Sequence, residues 1–292
     1  MVDRLTNKSG NRIRYTIALP VSIVSDIPHL REKSAKLGVI ARACAIFGVS
    51  EVVLYPDGDA RSQEDEFAIC ELILRFLETP QYLRKQLYGM NPILRYAGIL
   101  PPLQIPSHNT GKSIVSIKVA DLREGLVIGR EGEASLVDVG LDRPVRCRGK
   151  YPIMDRLTIR LLKVGGDLQG EAFDRSKIDI YWGFQVRARK LKLDSLLQER
   201  YDLKIGTSHY GSSLMDCYSN IVESLRKVES VMIVFGSPRQ GLQNILASQG
   251  KMPSELFDYF INTIPGQNVS TVRTEEAVMI TLGILNLARL GT

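Results

Sequence analysis

Two kinds of sequence alternate along this chain, and where they change constrains the fold more than any single motif. From Arg14 onward, β-rich runs alternate with helical ones. Arg14–Leu19 (RYTIAL) is a short strand stopped by Pro20. Leu30, Leu37, Ile40, Ala41, Cys44 and Phe47 recur at helical spacing and predict a helix that ends at Gly48. Glu51–Tyr55 is a buried-type strand before the turn PDGD, and Glu64–Leu77 is a second helix. Arg95–His108 then carries three of the chain's 13 prolines, which excludes a regular helix or a central strand there. Beyond it, to about Ile178, come short β-rich runs broken by glycine: IVSIKVA, GLVIG, ASLVDVG and RLTIRLL. After Tyr181 the alternation resumes. YWGFQVRA is a strand, Asp194–Arg200 and Ser213–Val228 are helices, Val231–Phe235 and Tyr259–Ile264 are strands, and Thr274–Arg289 is a final helix. The expected architecture is an α/β fold, a parallel sheet flanked by helices, interrupted by a small β-barrel or sandwich. Residues 1–98 and 180–292 would form the discontinuous α/β domain and residues 99–179 the insert, two domains in 292 residues.

Composition narrows the class. Lys and Arg exceed Asp and Glu by 38 − 32 = 6, a mild basic excess that suits a polyanionic partner. Cys44, Cys70, Cys147 and Cys217 are far apart and form no CxxC pair, which fits a reducing compartment. No apolar run approaches the roughly 20 residues that span a bilayer, and MVDRLTNKSGNR has no signal-peptide core, so a soluble cytoplasmic protein is expected. His29, His108 and His209 are scattered and no metal site is expected. Thr110–Ser113 (TGKS) resembles the end of a phosphate-binding loop, but Pro106 stands where that motif needs glycine.

Three segments follow expected strands near the C-terminus: Leu203–Gly211, Phe235–Leu242 and Ile264–Ala277. In an open α/β sheet, ligands bind beyond the carboxyl ends of the strands. Each segment taken singly is explained by an ordinary strand-to-helix turn; all three carry glycine, and Arg, Ser and Gln are spread among them. FGSPRQGL (235–242) and IPGQNVSTVRTEEAV (264–278) resemble the cofactor loops of the SPOUT class of RNA methyltransferases. RYAGILPPL (95–103), VDVGL (137–141), YWGFQVR (181–187) and IGTSHYG (205–211) extend the resemblance over most of the chain. They point to the archaeal and eukaryotic branch with an OB-like barrel inserted in the trefoil-knotted domain. The knot rests wholly on this resemblance, because chain-topology rules alone disfavour it.

The resemblance implies S-adenosylmethionine as methyl donor and no metal. Carried onto this chain, the cofactor contacts are Thr207 and Ser208; Gly236, Ser237, Pro238 and Gly241; and Ile264, Pro265, Gln267, Val272, Thr274 and Ala277. Arg239 and Arg273 are the candidates for acting on substrate. Arg239 would otherwise be a solvated loop charge, and Arg273 an ion-pair partner of Glu276. Glu276, with Glu275, offers a general base, or else an acid in the first turn of the last helix, where the helix dipole favours it. TVRTEEA also resembles the third loop of bacterial enzymes of this class that methylate uridine at N3, which makes N3 of a ribosomal uridine the leading target. A homodimer packed through the last helix is implied as well. Its face Val278, Leu282, Leu285 and Arg289 suits either a partner or an intrachain core.

Arg143–Lys163 holds seven Lys or Arg against one acid, Asp155. Arg143, Arg146, Arg148 and Lys150, with Arg187 and Arg189 further on, are the candidate RNA contacts, and Tyr151, Tyr181 and Trp182 lie near them in sequence. Ordinary solvated strand faces, and a core position for Trp182, are the competing explanation. Two other functions compete with the enzyme: a non-catalytic RNA-binding or ribosome-assembly factor with a retained knotted fold, and a protein–protein scaffold built on the β insert.

Overall fold

The computed structural model describes residues 13–109, 111, 120–164 and 167–290. Most of Thr110–Ser113 and nearly all of the expected strand IVSIKVA (114–120) lie outside them. The chain begins β1 (Arg14–Pro20), α1 (Leu30–Phe47), β2 (Val49–Tyr55), α2 (Glu64–Glu78) and α3 (Gln81–Tyr88). Five strands follow: β3 (Leu122–Glu131), β4 (Ala134–Asp138), β5 (Val145–Arg148), β6 (Arg156–Val164) and β7 (Asp167–Ala172). The rest is β8 (Gln185–Ala188), α4 (Leu193–Leu196), β9 (Leu203–Ser213), α5 (Leu214–Leu225), β10 (Ser230–Val234), α6 (Leu242–Ala247), α7 (Pro253–Leu256), β11 (Tyr259–Asn262) and α8 (Thr274–Leu290). The contacts divide these elements into two compact units. One holds the described residues up to Leu77, Ile93–Pro102, and Phe184 onward; the other holds Glu78–Pro92 and the described residues of Leu103–Gly183.

In the sheet unit, six strands run in the order β11-β9-β10-β1-β2-β8, every neighbouring pair parallel. Strand β1, from the start of the chain, lies between β10 and β2, so the sheet closes only when distant segments meet. The apolar runs read as buried strands are buried: Ile17, Ala18, Leu19, Val52, Val53, Leu54 and Val231–Val234 are fully or almost fully covered. Parallel strands covered by helices on both faces need such continuous apolar runs. Helix α1 spans Leu30–Phe47, as its spacing predicts, with Gly48 as its left-handed C-cap. Two expectations change. The strand expected over YWGFQVRA shortens to Gln185–Ala188, and the helix over Asp194–Arg200 to Leu193–Leu196.

The barrel unit closes five strands in the order β3-β4-β5-β7-β6, with β5 and β7 parallel and the other pairs antiparallel. Alternation fills it: Val127, Val137, Val145, Cys147, Ile159 and Leu161 point inward. The unit also buries charge. Arg156 bridges Glu78 (2.7 Å) and Glu124 (2.7 Å), and Arg175 reaches Glu78 at 3.0 Å. Thr158 Oγ1 and Trp182 Nε1 donate to Glu124 at 2.7 and 2.6 Å. Burial pushes the Glu124 carboxyl up, but Arg156, Arg175 and these donors outweigh it and hold it below the usual carboxylate value. At Glu78 burial wins over Arg156 and Arg175, and the nearby Glu124 charge adds to it, so that carboxyl is raised. This network overturns two sequence expectations. Arg156, counted in the basic stretch, is an internal counter-ion. Trp182, only 6% exposed, is a core donor and no platform for a base.

Candidate active site

The carboxyl ends of β9, β10 and β11 lie side by side in the sheet. Register sets their level: Gly206 of β9 pairs with Val234 at the end of β10 and with Phe260 of β11. The three segments singled out in the sequence therefore leave the sheet as neighbours. The first is no simple loop. β9 continues through Leu203–Ser213, and residues 207–211 bulge from it, because Gly206 opposes Phe260 while Ser212 opposes the next residue, Ile261. Thr207 Oγ1 donates to the Val234 carbonyl at 3.0 Å, tying the bulge to the strand that feeds the second loop.

The second loop is held from several sides. Phe235 N–H donates to the Ala18 carbonyl at 3.0 Å, and Tyr55 OH donates to the Phe235 carbonyl at 2.6 Å. Tyr55 is fully buried; burial, then the Asp57 charge, push its phenol well above the ordinary value and keep it a donor. Ser237 closes a tight turn, its N–H donating to the Gln240 carbonyl (2.9 Å) and its Oγ accepting from the Gln240 N–H (3.0 Å). Arg239 extends outward to Asp26, 2.5 Å away. Arg239 is 66% exposed, so this pair is weak and leaves the guanidinium able to change partners.

The third loop carries Arg273. Ile264 N–H donates to Asn262 Oδ1 (2.9 Å), and Gln267 Nε2 donates to the Val269 carbonyl (2.9 Å), bracing the loop on itself. Thr263 and Thr281 join hydroxyls at 2.9 Å beneath it. Glu276 Oε2 accepts the Arg273 N–H at 2.9 Å, the reach-back of a capping box at the start of α8. Glu275 pairs with buried Lys36 at 3.2 Å. Both acids thus have structural tasks at the helix start, as the dipole reading of the sequence proposes. The ion pair of Arg273 with Glu276 is not formed through the side chain. The Arg273 guanidinium is exposed and has no hydrogen-bond or ion-pair partner among the described residues.

The other sequence candidates separate. Arg146 and Arg148 alternate with buried Val145 and Cys147, so both face out from β5. Arg146 meets Glu131 at 3.4 Å, Lys150 meets Glu133 at 2.8 Å and Arg143 meets Asp167 at 3.8 Å, while Arg148 has no ion pair among the described residues. Arg187 is bound between Glu51 (2.9 Å) and Glu199 (2.8 Å), and Arg189 lies 3.5 Å from Glu199. Arg187 therefore holds the sheet unit together instead of facing a ligand. Sequence reasoning gave no task to Tyr55, whose hydroxyl fixes the second loop. A tyrosine at the end of an apolar strand was the signal available. No group of metal-ligating side chains is found among the described residues.

The model of a family described as "Putative RNA methyltransferase" matches residues 14–285. A human 28S rRNA (uridine-N(3))-methyltransferase is 33% identical over 94% of this chain and 78% of its own length. An uncharacterized protein of Halobacterium salinarum is 33% identical over 93% of this chain and 98% of its own. A probable methylase family protein of Haemophilus influenzae superposes with a TM-score of 0.37 at 14% identity, covering 96% of this chain and 66% of that one. The match across nearly the whole length, on a parallel sheet whose strand ends gather these loops, shows that the chain belongs to this family of RNA methyltransferases.

Proposed function

We propose that this chain is an S-adenosylmethionine-dependent methyltransferase that modifies N3 of a uridine in ribosomal RNA. The observation that carries the reading is the rim where β9, β10 and β11 end, with Arg273 exposed at the start of α8 and without a partner among the described residues. The activity named for the human relative supports the choice of nucleotide and atom.

The loop glycines support this cofactor. A Cβ on Gly236 would lie 3.1 Å from Leu242 N and 3.2 Å from the Gln240 oxygen, so the second loop folds tightly over backbone that a side chain would block. Gly241 and Gly266 have open space where a side chain would stand. Thr207, Ser208, Gly236, Ser237, Pro238, Gly241, Ile264, Pro265, Gln267, Val272, Thr274 and Ala277 would hold it, mainly through neutral backbone and apolar contact. When bound, the cofactor supplies a methyl group on a positive sulfonium, which leaves as a neutral thioether. The protein's part is alignment and charge. Uridine N3 must lose its proton to become a good nucleophile. The Arg273 guanidinium and the N-terminus of α8 would stabilise the negative charge left on the ring, and the proton would pass to solvent. Arg239 would orient the base or a phosphate by exchanging Asp26 for it. With Glu276 holding the helix start, no general base is assigned.

In the same reading the barrel is of the OB type, supported by five strands with a single parallel pair, and offers RNA the outer face of β5 with Arg146 and Arg148, flanked by Arg143 and Lys150. The chain would act as a homodimer. Val278, Leu282 and Leu285 are buried within the chain, so a partner would meet the opposite face of α8, where Ile280 and Leu287 are 40% and 65% exposed. No helix among the described residues is long and apolar enough to cross a membrane, and a cytoplasmic site of action is part of the proposal. The test is direct. The purified chain is incubated with S-adenosylmethionine and unmodified ribosomal RNA, and nucleosides are mapped by mass. A new 3-methyluridine is expected; RNA left unmodified, or methylated on another atom, would overturn the assignment.

A further inference from the structure

Within IGTSHYG, Thr207 and Ser208 have a task in the proposed function, and the two aromatic residues that follow have none. They stand at the apex of the β9 bulge, which is clamped along its length. Thr207 Oγ1 holds its start to Val234, Tyr210 N–H donates to Ser208 Oγ at 3.2 Å, and Asn262 Nδ2 donates to the His209 carbonyl at 3.1 Å. Its return passes so close to β11 that a Cβ on Gly211 would sit 2.5 Å from the Ile261 carbonyl carbon; only glycine closes the bulge. At the tip, Tyr210 is 77% exposed. The His209 ring meets it edge-on, with centroids 5.2 Å apart and planes at 71°.

A single apolar side chain in water needs no explanation. A large ring held in water by a bulge that is clamped at three points and begins one residue beyond Gly206, level with the end of β10, does. Enzymes that act on the edge of a base take it out of its stack and lay it against flat side chains. A ring is suited to this because every base has a stacking face, and its cost in mobility is small. We infer that Tyr210, propped by the edge of His209, is the stacking platform for the uracil that is methylated. This rests on the proposed function and adds the residue that positions its substrate.

The test uses the full chain as wild type and as Tyr210→Phe, Tyr210→Leu and His209→Ala. Each is titrated with a short fluorescein-labelled oligouridylate by anisotropy and with S-adenosylmethionine by calorimetry, and is sized by sedimentation. Tyr210→Leu is expected to weaken oligouridylate binding about tenfold, the order that losing one base–aromatic stack costs. Tyr210→Phe should stay within about twofold of wild type, and His209→Ala should fall between the two. Cofactor affinity and size should not move. Oligouridylate binding unchanged in Tyr210→Leu would overturn the inference. So would a change of oligomeric size in that variant, which would mean that a second copy covers the ring, or a matching loss of cofactor affinity, which would give the ring to the donor pocket. A wild-type chain that takes up no S-adenosylmethionine would bring down the functional reading itself.

Discussion

The two units of this molecule handle charge differently. The sheet unit fills the core of its strands with hydrocarbon, pairs Arg187 with Glu51 and Glu199 and Lys36 with Glu275, and leaves cations at the rim, where Arg239 has one exposed partner and Arg273 none among the described residues. The barrel unit, whose interior is apolar, also draws Glu78, Glu124, Arg156 and Arg175 into a shared, largely buried network. A guanidinium at the rim is free to meet a substrate; one in the network holds neighbouring segments of the barrel unit in place. Counting basic residues along the sequence does not distinguish them. Of the seven cations in Arg143–Lys163, Arg156 is internal, and Arg143, Arg146, Lys150 and Arg160 lie opposite carboxylates.

Breaking the barrel network should give the largest effect. Arg156→Met leaves two buried carboxylates without their shared counter-ion and should destabilise the chain by about 3–5 kcal/mol. Chemical denaturation measures this; an unchanged midpoint would mean that the network contributes nothing. At the rim the opposite is expected. Arg273→Ala should leave stability and cofactor affinity alone and cut the initial rate of RNA methylation about 10²–10³-fold, the scale of removing one donor to developing negative charge.

The contrast also sharpens with pH. His108, in the barrel unit, has a ring nitrogen 2.7 Å from the Glu78 carbonyl, and burial lowers its pKa from 6.5 to about 4. The neutral ring is the folded form, so the unfolded chain gains a proton first as pH falls. Stability should therefore drop between pH 6.5 and about pH 4, by roughly 1.4 kcal/mol per pH unit from this group. Denaturation curves across that window should flatten in His108→Gln; a slope unchanged by the substitution would assign the loss to other groups. The smallest effect is expected on the barrel surface. Charge reversal of Arg146 and Arg148 together should weaken RNA binding about tenfold at low salt, and less as salt rises, with cofactor affinity unchanged. Equal losses of both would indicate misfolding.

How much of this was legible in the sequence follows from the same contrast. Helix α1 and strands β1, β2 and β10 follow from apolar spacing, because each is decided by the face it buries. Glycine, proline and the resemblance mark the three C-terminal loops, and the sheet register brings their starting points to one edge. Other features were hidden because they depend on contacts between distant residues. Glu78 and Arg156 are far apart in the chain, so nothing local marks Arg156 as internal. Arg187 reads as basic surface until Glu51 and Glu199 are brought beside it. The bulge at residues 207–211 is a matter of register between β9 and β11, and a strand's register cannot be read from its own residues.

Hydrogen-exchange mass spectrometry of the full chain, with and without S-adenosylmethionine, tests the central claim most directly. New protection is expected in peptides covering residues 205–211, 235–242 and 264–277, with the barrel strands unchanged. Protection elsewhere, or none at saturating cofactor, would contradict the account.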